Sequence, residues 1–263
     1  MKKTMDDLLA DGVAPDVTCN FFSEEEWLTM PAPVPREMTL AIYVNGQELV
    51  TILCTPTKLN CLVLGFLYSE GIITNMHDIA SMRICEDEPI ADVRLNKDDY
   101  TAPTRRTLTS GCGSGVSFQN EEQPVASDLV ITPKEVLALM KQLHQQQELF
   151  QQCGGIHCSA LADREQIIVS AEDIGRHNTI DKILGECLLR GLPTRDRILL
   201  TTGRISSEML LKAARMQVPI VVSRGSPTER AISLGRELDI TVVGYVRGSR
   251  LSVFSNEQRL LAN

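Results

Sequence analysis

Strands and helices alternate along the C-terminal half of the sequence, and this alternation limits the fold more strongly than any other feature. The runs "QIIVS", "RILLTTG", "PIVVSRG" and "DITVVGYV" have the composition of strands, and the segments between them have the spacing of helices. Short connections between such segments are typical of a layered α/β domain with a largely parallel sheet. The sequence therefore predicts the α/β class, with a layered α/β/α domain in the C-terminal half.

A further helix is predicted just before this alternating region, in "ITPKEVLALMKQLHQ". Thr132 is placed to be its N-cap, Pro133 occupies the first helical position, and Glu135 completes a capping box. One face of this helix is apolar at helical spacing, which indicates a side that faces a core. The residues of that face are Val136, Leu139, Met140 and Leu143.

The N-terminal half predicts a smaller α+β unit. "MTLAIYVNGQELVTILC" is typical of a hairpin, because Asn45 and Gly46 favour a type I′ turn. "TKLNCLVLGFLYSEG" predicts a helix with Thr57 as its N-cap and Gly71 as its stop, and short strands are predicted near residues 84 and 93. We therefore divide the chain into an N-terminal arm (1–35), a small α+β domain that includes the Cys112 loop (36–126) and a larger α/β domain (127–263).

The charge balance and the first residues bear on where the protein works. A chain of 263 residues with a net charge of −8 lacks the excess of basic residues that a broad nucleic-acid or anionic-membrane surface needs. "MKKTMDDLLADG" contains no apolar run of signal-peptide length, and no stretch approaches the roughly 20 apolar residues of a membrane-spanning helix. We expect a cytoplasmic protein that binds neither nucleic acid nor membranes.

The eight cysteines are scattered and none forms a C-x-x-C pair, so neither a disulfide scaffold nor a zinc ribbon is indicated. Cys61 and Cys187 fall on apolar helix faces and are expected to be core residues. Cys112 differs, because it stands between Gly111 and Gly113 in the long, unpatterned segment "TRRTLTSGCGSGVSF". Glycines leave a thiol uncovered on a pliable backbone, and the nearby arginines would favour its thiolate. Cys112 is therefore the candidate reactive thiol.

Three successive strand-to-helix junctions share an arginine, a glycine and a capping Asn or Ser. They are "AEDIGRHN", "TTGRISSE" and "VSRGSPTE", and a fourth basic glycine turn, "YVRGSR", follows the last strand. In an open α/β sheet such junctions lie at the carboxyl ends of strands, where helix N-termini and arginines bind anions. The pattern indicates a phosphorylated ligand, and the absence of a Walker or Rossmann motif leaves those two enzyme classes unsupported. The predicted binding residues are Arg176, His177, Arg204, Ser206, Arg224, Ser226, Arg247 and Arg250.

The roles of two histidines stay open at this point. His177 stands at a predicted helix N-terminus, where a neutral imidazole could contact a ligand or make a local structural hydrogen bond. His157 and Cys158 are adjacent in "CGGIHCSA" and raise a zinc hypothesis, but no second pair has the spacing of a tetrahedral site. A metal site is therefore not expected.

Together these motifs resemble the FdhD-type formate dehydrogenase accessory sulfurtransferases. The resemblance covers residues 35 to 255 and rests on an ordered set: "LGFLYSEGII", "GCGSG", "CGGIHCSA", "EDIGRHNTIDKILG", "RISSEMLLKAA" and "VVGYVRGSR". The most specific piece is the "EDIGRHN" junction, which is followed by a helix that contains Asp181 and Lys182.

The resemblance implies a sulfur relay. Such proteins take sulfur from a cysteine desulfurase as a persulfide and pass it to the molybdenum (or tungsten) bis(molybdopterin guanine dinucleotide) cofactor of formate dehydrogenase. The resemblance also implies a homodimer and a larger domain similar in fold to cytidine deaminases, without their zinc chemistry. The family's loop cysteine corresponds to Cys112, and its cofactor-binding stretch corresponds to Tyr245, Val246, Arg247, Gly248, Ser249 and Arg250.

The sequence departs from the family pattern in the thiol loop. Typical members carry C-x-x-C there, whereas Cys112 is followed by Gly113, Ser114 and Gly115. One thiolate is chemically sufficient to accept and present sulfane sulfur, so a sulfurtransferase that acts as a persulfide carrier is the leading hypothesis. The alternative is a cofactor-binding chaperone for formate dehydrogenase maturation that transfers no sulfur. A zinc deaminase is disfavoured, because the sequence lacks H-x-E with P-C-x-x-C.

Overall fold

Two β-sheets, each covered by helices, carry the fold. The structure is a computed structural model and describes residues 12–85, 88–97, 100 and 123–260, together with two short strands at 107–108 and 116–117. A four-stranded sheet belongs to the N-terminal part of the chain and a six-stranded sheet to the C-terminal part. The predicted α/β class is confirmed.

The N-terminal part contains a hairpin and the small sheet. The hairpin pairs β1 (Asp16–Ser23) with β2 (Glu26–Pro33), where the sequence had indicated only an arm. Four strands form the small sheet: β3 (Met38–Val44), β4 (Gln47–Cys54), β5 (Ile79–Ile84) and β6 (Ile90–Leu95). Their spatial order is β4-β3-β6-β5, and α1 (Leu59–Ser69) packs its apolar side chains against this sheet.

The turns of this small unit follow the sequence, but one predicted cap is wrong. Asn45 and Gly46 both have positive φ angles, 48° and 81°, which is the backbone of the predicted I′ turn between β3 and β4. Gly71, with a φ of 71°, follows the end of α1, as predicted. The N-cap position of α1 is held by Lys58 instead of Thr57, because the Thr57 hydroxyl accepts a hydrogen bond from a buried lysine further along the chain.

The large sheet has four strands that run in one direction and two that oppose them. A short antiparallel pair, β7 (Thr107–Leu108) and β8 (Val116–Ser117), precedes it in the chain. Across the sheet, β11–β12 and β12–β13 pair in parallel, whereas β10–β9, β9–β11 and β13–β14 pair antiparallel. Its strands in spatial order are β10 (Ile167–Asp173), β9 (His157–Ala162), β11 (Ile198–Thr201), β12 (Ile220–Ser223), β13 (Thr241–Arg247) and β14 (Arg250–Ser255).

The prediction of a largely parallel sheet missed β9, which lies between β10 and β11. Residues 158–162 of this strand are all buried, so the alternation of polar and apolar residues that marks a half-buried strand is missing. The insertion of β9 separates the first predicted strand from the other three without reversing its direction.

Helices cover both faces of the large sheet. One face packs against α2 (Pro133–Gln145), whose predicted capping box and apolar face are confirmed. A short helix, α3 (Glu148–Cys153), leads from α2 to β9. The opposite face packs against α4 (Arg176–Arg190), α5 (Ser207–Arg215) and α6 (Glu229–Glu237). Neighbouring strand residues divide between the two cores, as Leu199 and Leu200 do, and this gives the three predicted layers.

The two units join where α1 crosses α4, and glycines allow their backbones to touch. A Cβ atom on Gly65 of α1 would overlap the carbonyl of Asp181, and one on Gly185 of α4 would overlap the carbonyl of Cys61. Each helix therefore places a glycine against the backbone of the other. Cys61 and Cys187 are both buried at this crossing, as predicted.

A buried ion pair fixes the same interface. The Lys182 ammonium lies 2.6 Å from the Asp173 carboxylate, and neither side chain has any exposed surface. Lys182 also donates to the Thr55 carbonyl (3.1 Å) and the Thr57 hydroxyl (3.0 Å) of the small unit. Asp173 in turn accepts a hydrogen bond from the Thr55 N–H (3.1 Å). Both members of the pair thus bind the segment that leads from β4 to α1.

Some predictions lie outside the described residues. These include the Cys112 loop, with Gly111, Gly113 and the upstream arginines. The predicted domain boundary at residue 127 stays a prediction. None of the helices that the structure describes combines the length and the apolar character that a membrane crossing requires.

Replacing Lys182 by Met should cost about 3–5 kcal/mol of unfolding free energy, because the Asp173 carboxylate would stay buried without its counter-charge. Urea denaturation at neutral pH measures this loss. The matched control is Arg190→Met on the same helix, whose exposed pair with Glu186 should be worth less than about 1 kcal/mol. Equal losses in the two variants would contradict the importance assigned to the buried pair.

Candidate functional site

The carboxyl ends of four strands meet at one edge of the large sheet. β10, β11, β12 and β13 run in the same direction, and β9, which opposes them, begins at this edge. The edge therefore collects the three arginine-bearing junctions together with His157, the first residue of β9. We call it the carboxyl edge.

Buried hydroxyl groups at the strand ends shape two of the junctions. The Thr201 hydroxyl accepts a hydrogen bond from the Gly203 N–H (3.2 Å), and the Ser223 hydroxyl accepts one from the Gly225 N–H (2.8 Å). Ser223 also donates to the Gly203 carbonyl (2.5 Å), which ties the two junctions together. A hydroxyl that binds the backbone two residues ahead turns the chain sharply. In "TTG" and "SRG" a hydroxyl residue stands two positions before a glycine, and this spacing is a sequence signal for such turns.

Glycines let the loops at this edge stack directly on one another. A Cβ atom on Gly225 would lie 3.2 Å from the backbone nitrogen of Arg204. The Gly225 carbonyl accepts a hydrogen bond from the Tyr245 N–H (3.0 Å), and a Cβ on Gly244 would lie 3.2 Å from the same carbonyl. The junctions after β11 and β12 and the end of β13 thus form one continuous surface. Arg204, Arg224 and Tyr245 are exposed on it.

The second and third junctions differ in how they cap their helices. Ser206 caps α5 with its side chain, as predicted. Ser226 does not cap α6, because that helix begins after Thr228, whose hydroxyl accepts the capping hydrogen bond. The Ser226 carbonyl accepts a hydrogen bond from the Ile205 N–H (3.0 Å) and so helps to hold the two junctions side by side.

The first junction is organised by Asp173 instead of a capping asparagine. α4 begins after Gly175 and has no side-chain cap. The Asp173 carboxylate accepts hydrogen bonds from the Gly175 N–H (2.8 Å) and from the Asn178 side-chain amide (2.8 Å). Asn178 also donates to the Leu53 carbonyl (2.8 Å), so this side chain connects the junction to the small unit. The prediction that Asn178 would cap the helix was therefore wrong.

Arg176 and His157 occupy the space that Gly203 leaves open. The Arg176 Cβ atom and the His157 Nδ1 atom lie 3.0 Å and 3.4 Å from the position that a Cβ on Gly203 would take. Arg176 is 8 % exposed, so the side chain is largely enclosed between the first two junctions. Burial, together with the charge of Arg176, lowers the pKa of His157. The imidazole is therefore neutral at neutral pH.

His177 is also neutral and makes local hydrogen-bonding contacts. Its Nε2 atom lies 3.2 Å from the Ser206 hydroxyl and 3.4 Å from a Glu208 carboxylate oxygen. Burial lowers the pKa of His177 to about 3, and the charges of Lys212 and Arg176 add to the effect. The local hydrogen bond that the sequence left open is present, and contact with a ligand stays a prediction.

The "YVRGSR" stretch divides between surface and core. Tyr245 is exposed and has a left-handed backbone, with a φ of 54°. Val246 is buried in the core beneath α2, so only its backbone is available to a ligand. The remaining residues are exposed: Arg247 ends β13, Gly248 and Ser249 form the turn, and Arg250 begins β14.

His157 and Cys158 do not point to a metal site. The described part of the chain contains no group of three or more His, Cys, Asp or Glu residues placed to hold a metal ion. Cys158 is completely buried against α2, and burial raises the pKa of its thiol to about 12. A protonated thiol inside a core is a poor metal ligand, because the thiolate is the form that binds metals.

The chemistry of the carboxyl edge suits an anion with several phosphate groups. Three helices point their N-termini toward this edge and so contribute partial positive charge. Of the nearby carboxylates, Asp173 pairs with the charged Lys182, whereas Glu208 contacts the neutral imidazole of His177. Arginine guanidinium groups and neutral imidazoles can donate hydrogen bonds to phosphate oxygens. Asp173, Glu208 and the strand-end hydroxyls also belong to this site, and the sequence patterns did not predict them.

Known proteins are similar to this chain along most of its length. The sequence profile of the FdhD/NarQ family matches residues 35–261. The protein named sulfur carrier protein FdhD from Halalkalibacterium halodurans is 41% identical over 87% of this chain and 88% of its own length. Its namesake from Bacillus subtilis is 40% identical over 85% and 88% of the two chains. A crystal structure titled as a formate dehydrogenase accessory protein from Desulfotalea psychrophila has a TM-score of 0.79 and 27% identity, covering 95% of this chain and 100% of that one.

The pKa of His177 gives the protein a pH-dependent stability. The imidazole is neutral in the folded state down to a pH of about 3 but binds a proton below about 6.5 once the chain unfolds. Stability is therefore fully present above pH 6.5 and is lost progressively as the pH falls toward 3. Between pH 7 and pH 5.5 the parent should lose about 1 kcal/mol that His177→Gln does not lose.

Urea denaturation at the two pH values measures the difference. His77→Gln is the control, because His77 is exposed in a turn of the small unit. A His177→Gln variant with the same pH slope as the parent and the control would show that His177 does not titrate as described.

Proposed function

Because this chain belongs to the FdhD/NarQ family, we propose that it is a sulfur carrier that accepts sulfur on Cys112 as a persulfide. It passes this sulfur to the molybdenum bis(molybdopterin guanine dinucleotide) cofactor that formate dehydrogenase needs for activity. The observation that carries the proposal is the carboxyl edge, which places arginines, helix N-termini and neutral imidazoles on one surface. A cofactor with four phosphate groups is a ligand of matching charge.

Loading of the carrier is a thiol exchange. The Cys112 thiolate attacks the outer sulfur of a persulfide on a cysteine desulfurase, and the S–S bond of that persulfide breaks. The electron pair of the broken bond leaves with the desulfurase thiolate, while a new S–S bond forms at Cys112. One sulfane sulfur moves, and the step needs neither an external oxidant nor a reductant.

In the delivery step, the Cys112 persulfide becomes the sulfur donor and the cofactor becomes the acceptor. The cofactor, as the substrate of this step, supplies the electron pair for its new bond to the outer sulfur. The S–S bond of the Cys112 persulfide breaks, and its electrons return to the Cys112 thiolate. The carrier is thereby regenerated for another transfer.

Five of the seven described cysteines are poor alternatives to Cys112. Burial raises the thiol pKa of Cys54 and Cys158 to about 12 and that of Cys187 to about 11. Burial also raises the thiol pKa of Cys61 and Cys153. A sulfur acceptor must react as a thiolate, so these positions are disfavoured in the relay. Cys112, flanked by glycines in the sequence, remains the best candidate.

The carboxyl edge would bind the cofactor through its charged groups. Arg204 and Arg224 are exposed on neighbouring loops, and Arg250 is exposed at the start of β14. His177 and Arg176, which open α4, would supply hydrogen bonds from the first junction. The exposed ring of Tyr245 offers an apolar surface beside them. The partners of the relay are then a cysteine desulfurase and formate dehydrogenase, and the working form is a homodimer.

A cofactor-binding chaperone is the second candidate. The feature that favours it is the glycine at position 115, where a C-x-x-C loop would carry a second thiol. Such a chaperone would use the same carboxyl edge but would not need a reactive Cys112. The two candidates therefore differ in one measurable property, the loading of sulfur.

Replacing Cys112 by Ser should abolish persulfide formation and leave the fold unchanged, because hydroxyl oxygen cannot accept sulfane sulfur. The purified protein is incubated with a cysteine desulfurase and cysteine, and intact-mass spectrometry detects the gain of one sulfur atom. Cys153→Ser is the matched control and should load sulfur as the parent does.

Formate dehydrogenase activity in cells that depend on this protein provides the second measurement. If Cys112→Ser activated the enzyme fully while still binding cofactor, the chaperone would replace the sulfur carrier as the proposed function.

GDP should bind to the carboxyl edge, because it keeps the guanine base and the diphosphate of the cofactor. Each arginine that bonds a phosphate contributes on the order of 1.5–3 kcal/mol. Arg204→Ala, Arg224→Ala and Arg250→Ala should therefore each weaken GDP binding roughly tenfold or more. Calorimetry at fixed salt concentration measures the affinity.

The control for these variants is Arg164→Ala. Arg164 is also exposed to solvent but lies in the turn between β9 and β10, at the opposite edge of the sheet, where it pairs with Glu135. Unchanged affinity in all three carboxyl-edge variants would show that the nucleotide binds elsewhere.

A further inference from the structure

The hairpin of β1 and β2 presents three consecutive apolar rungs on one face, which end at a polar rung of Ser23 and Glu26 beside the turn. In an antiparallel pair, directly opposite residues share a face, and successive residues alternate between the two faces. The rungs on one face pair Val17 with Ala32, Cys19 with Met30, and Phe21 with Leu28. We call these six residues the apolar ladder. Its four largest side chains are between 43% and 52% exposed: Val17, Phe21, Leu28 and Met30.

The opposite face of the hairpin has a different character. Its central rungs pair Thr18 with Pro31 and Asn20 with Thr29, and the Asn20 and Thr29 side chains are hydrogen bonded (2.9 Å). One rung of this opposite face is aromatic, where Phe22 and Trp27 pack with ring centroids 5.1 Å apart. The hairpin is therefore amphipathic, and four of its six ladder residues are exposed in the part of the chain that the structure describes, whereas Cys19 and Ala32 are half-buried.

An uncovered hairpin of this kind is marginally stable in water. Two strands alone bury too little surface to hold their shape, so a third strand or a packed layer is normally needed. Contiguous exposed apolar side chains of this extent mark interaction sites on folded proteins. The apolar ladder thus indicates a surface that is covered in the working form of the protein.

The covering partner packs on the face instead of adding a strand at the outer edge of β2. Pro31 and Pro33 lie in β2 and have no N–H to donate, so this edge cannot complete a ladder with another strand. A partner that buries the six side chains must therefore lie against the face itself, as two sheets do in a sandwich.

We infer that the occupant is the apolar ladder of a second copy of this chain. The ladder carries no charge along its three rungs, and interfaces of this strongly apolar kind are typical of permanent homodimers. Every copy of the chain exposes this face, so the partner that covers it must always be present, and a second copy meets that condition. This inference rests on the proposed function, which includes a homodimer. It adds the face through which the two copies bind each other.

Charge decides the orientation of the two hairpins. Glu24, Glu25 and Glu26 are exposed at the turn, so parallel packing would bring two triplets of glutamates together. A twofold axis through the middle rung places the two turns at opposite ends of the ladder. The triplets are then roughly 20 Å apart or more, which exceeds the Debye length of about 8 Å at physiological salt. The antiparallel arrangement therefore avoids the repulsion expected for an acidic chain.

The test compares two double variants of the same hairpin. Phe21→Asp with Leu28→Asp places two charges on the ladder, and Asn20→Asp with Thr29→Asp places the same charges on the neighbouring rung of the opposite face. Sedimentation velocity of the full chain at micromolar concentrations gives the oligomeric state. The parent and the opposite-face variant should be dimers, whereas the ladder variant should be a monomer, with dimerisation weakened at least a hundredfold.

A monomeric parent, or a ladder variant that stays dimeric, would overturn the inference. Trp27 is the only tryptophan of the chain, and its emission shows whether the hairpin of each variant still forms. If the ladder variant loses that signal, Phe21→Thr with Leu28→Thr replaces it, because threonine keeps the strand propensity. Sulfur loading of Cys112 is measured on the same samples. Loss of loading in the parent counts against the proposed function alone, and loss of the parent dimer counts against the interface alone.

Discussion

One buried carboxylate, that of Asp173, holds together three parts of the molecule. It ends β10, binds the backbone at the start of α4, and reaches Thr55 in the small unit, while Lys182 neutralises its charge. An unpaired charge at this depth is strongly unfavourable, so all of these partners must be in place in the folded chain. Arg176 and His177 follow within the next turn. The candidate site therefore takes its shape from an ion pair that does not itself face the ligand.

The electrostatics of the carboxyl edge follow from this arrangement. The Asp173 charge is balanced internally by Lys182, and Glu208 contacts the neutral imidazole of His177. Basic groups on the outer loops remain exposed to solvent. An acidic protein can therefore present a locally cationic surface without an overall excess of basic residues. The neutral histidines add hydrogen-bonding capacity there without competing for protons near neutral pH.

Local signals predicted most elements, and long-range contacts explain the failures. The Asn45–Gly46 turn and the Thr132 cap depend on neighbouring residues only, and both are confirmed. Asn178 and Thr57 were assigned as caps, but partners more than a hundred positions away in the sequence take up their polar groups. β9 was missed because a fully buried strand shows no alternation. The arrangement of the first two junctions around Gly203 likewise depends on tertiary packing, which no local pattern reveals.

The crossing of α1 and α4 limits how the small and large units can move relative to each other. Backbone lies directly on backbone at Gly65 and Gly185, so there is no layer of side chains that could slide or repack between the two helices. Shear motions, in which packed helices slide past each other, would need just such a layer. Evolution is restricted in the same way, because neither glycine can gain a side chain unless the opposing helix withdraws. The crossing therefore opposes sliding between the two units and also couples the sequence changes that each helix can accept.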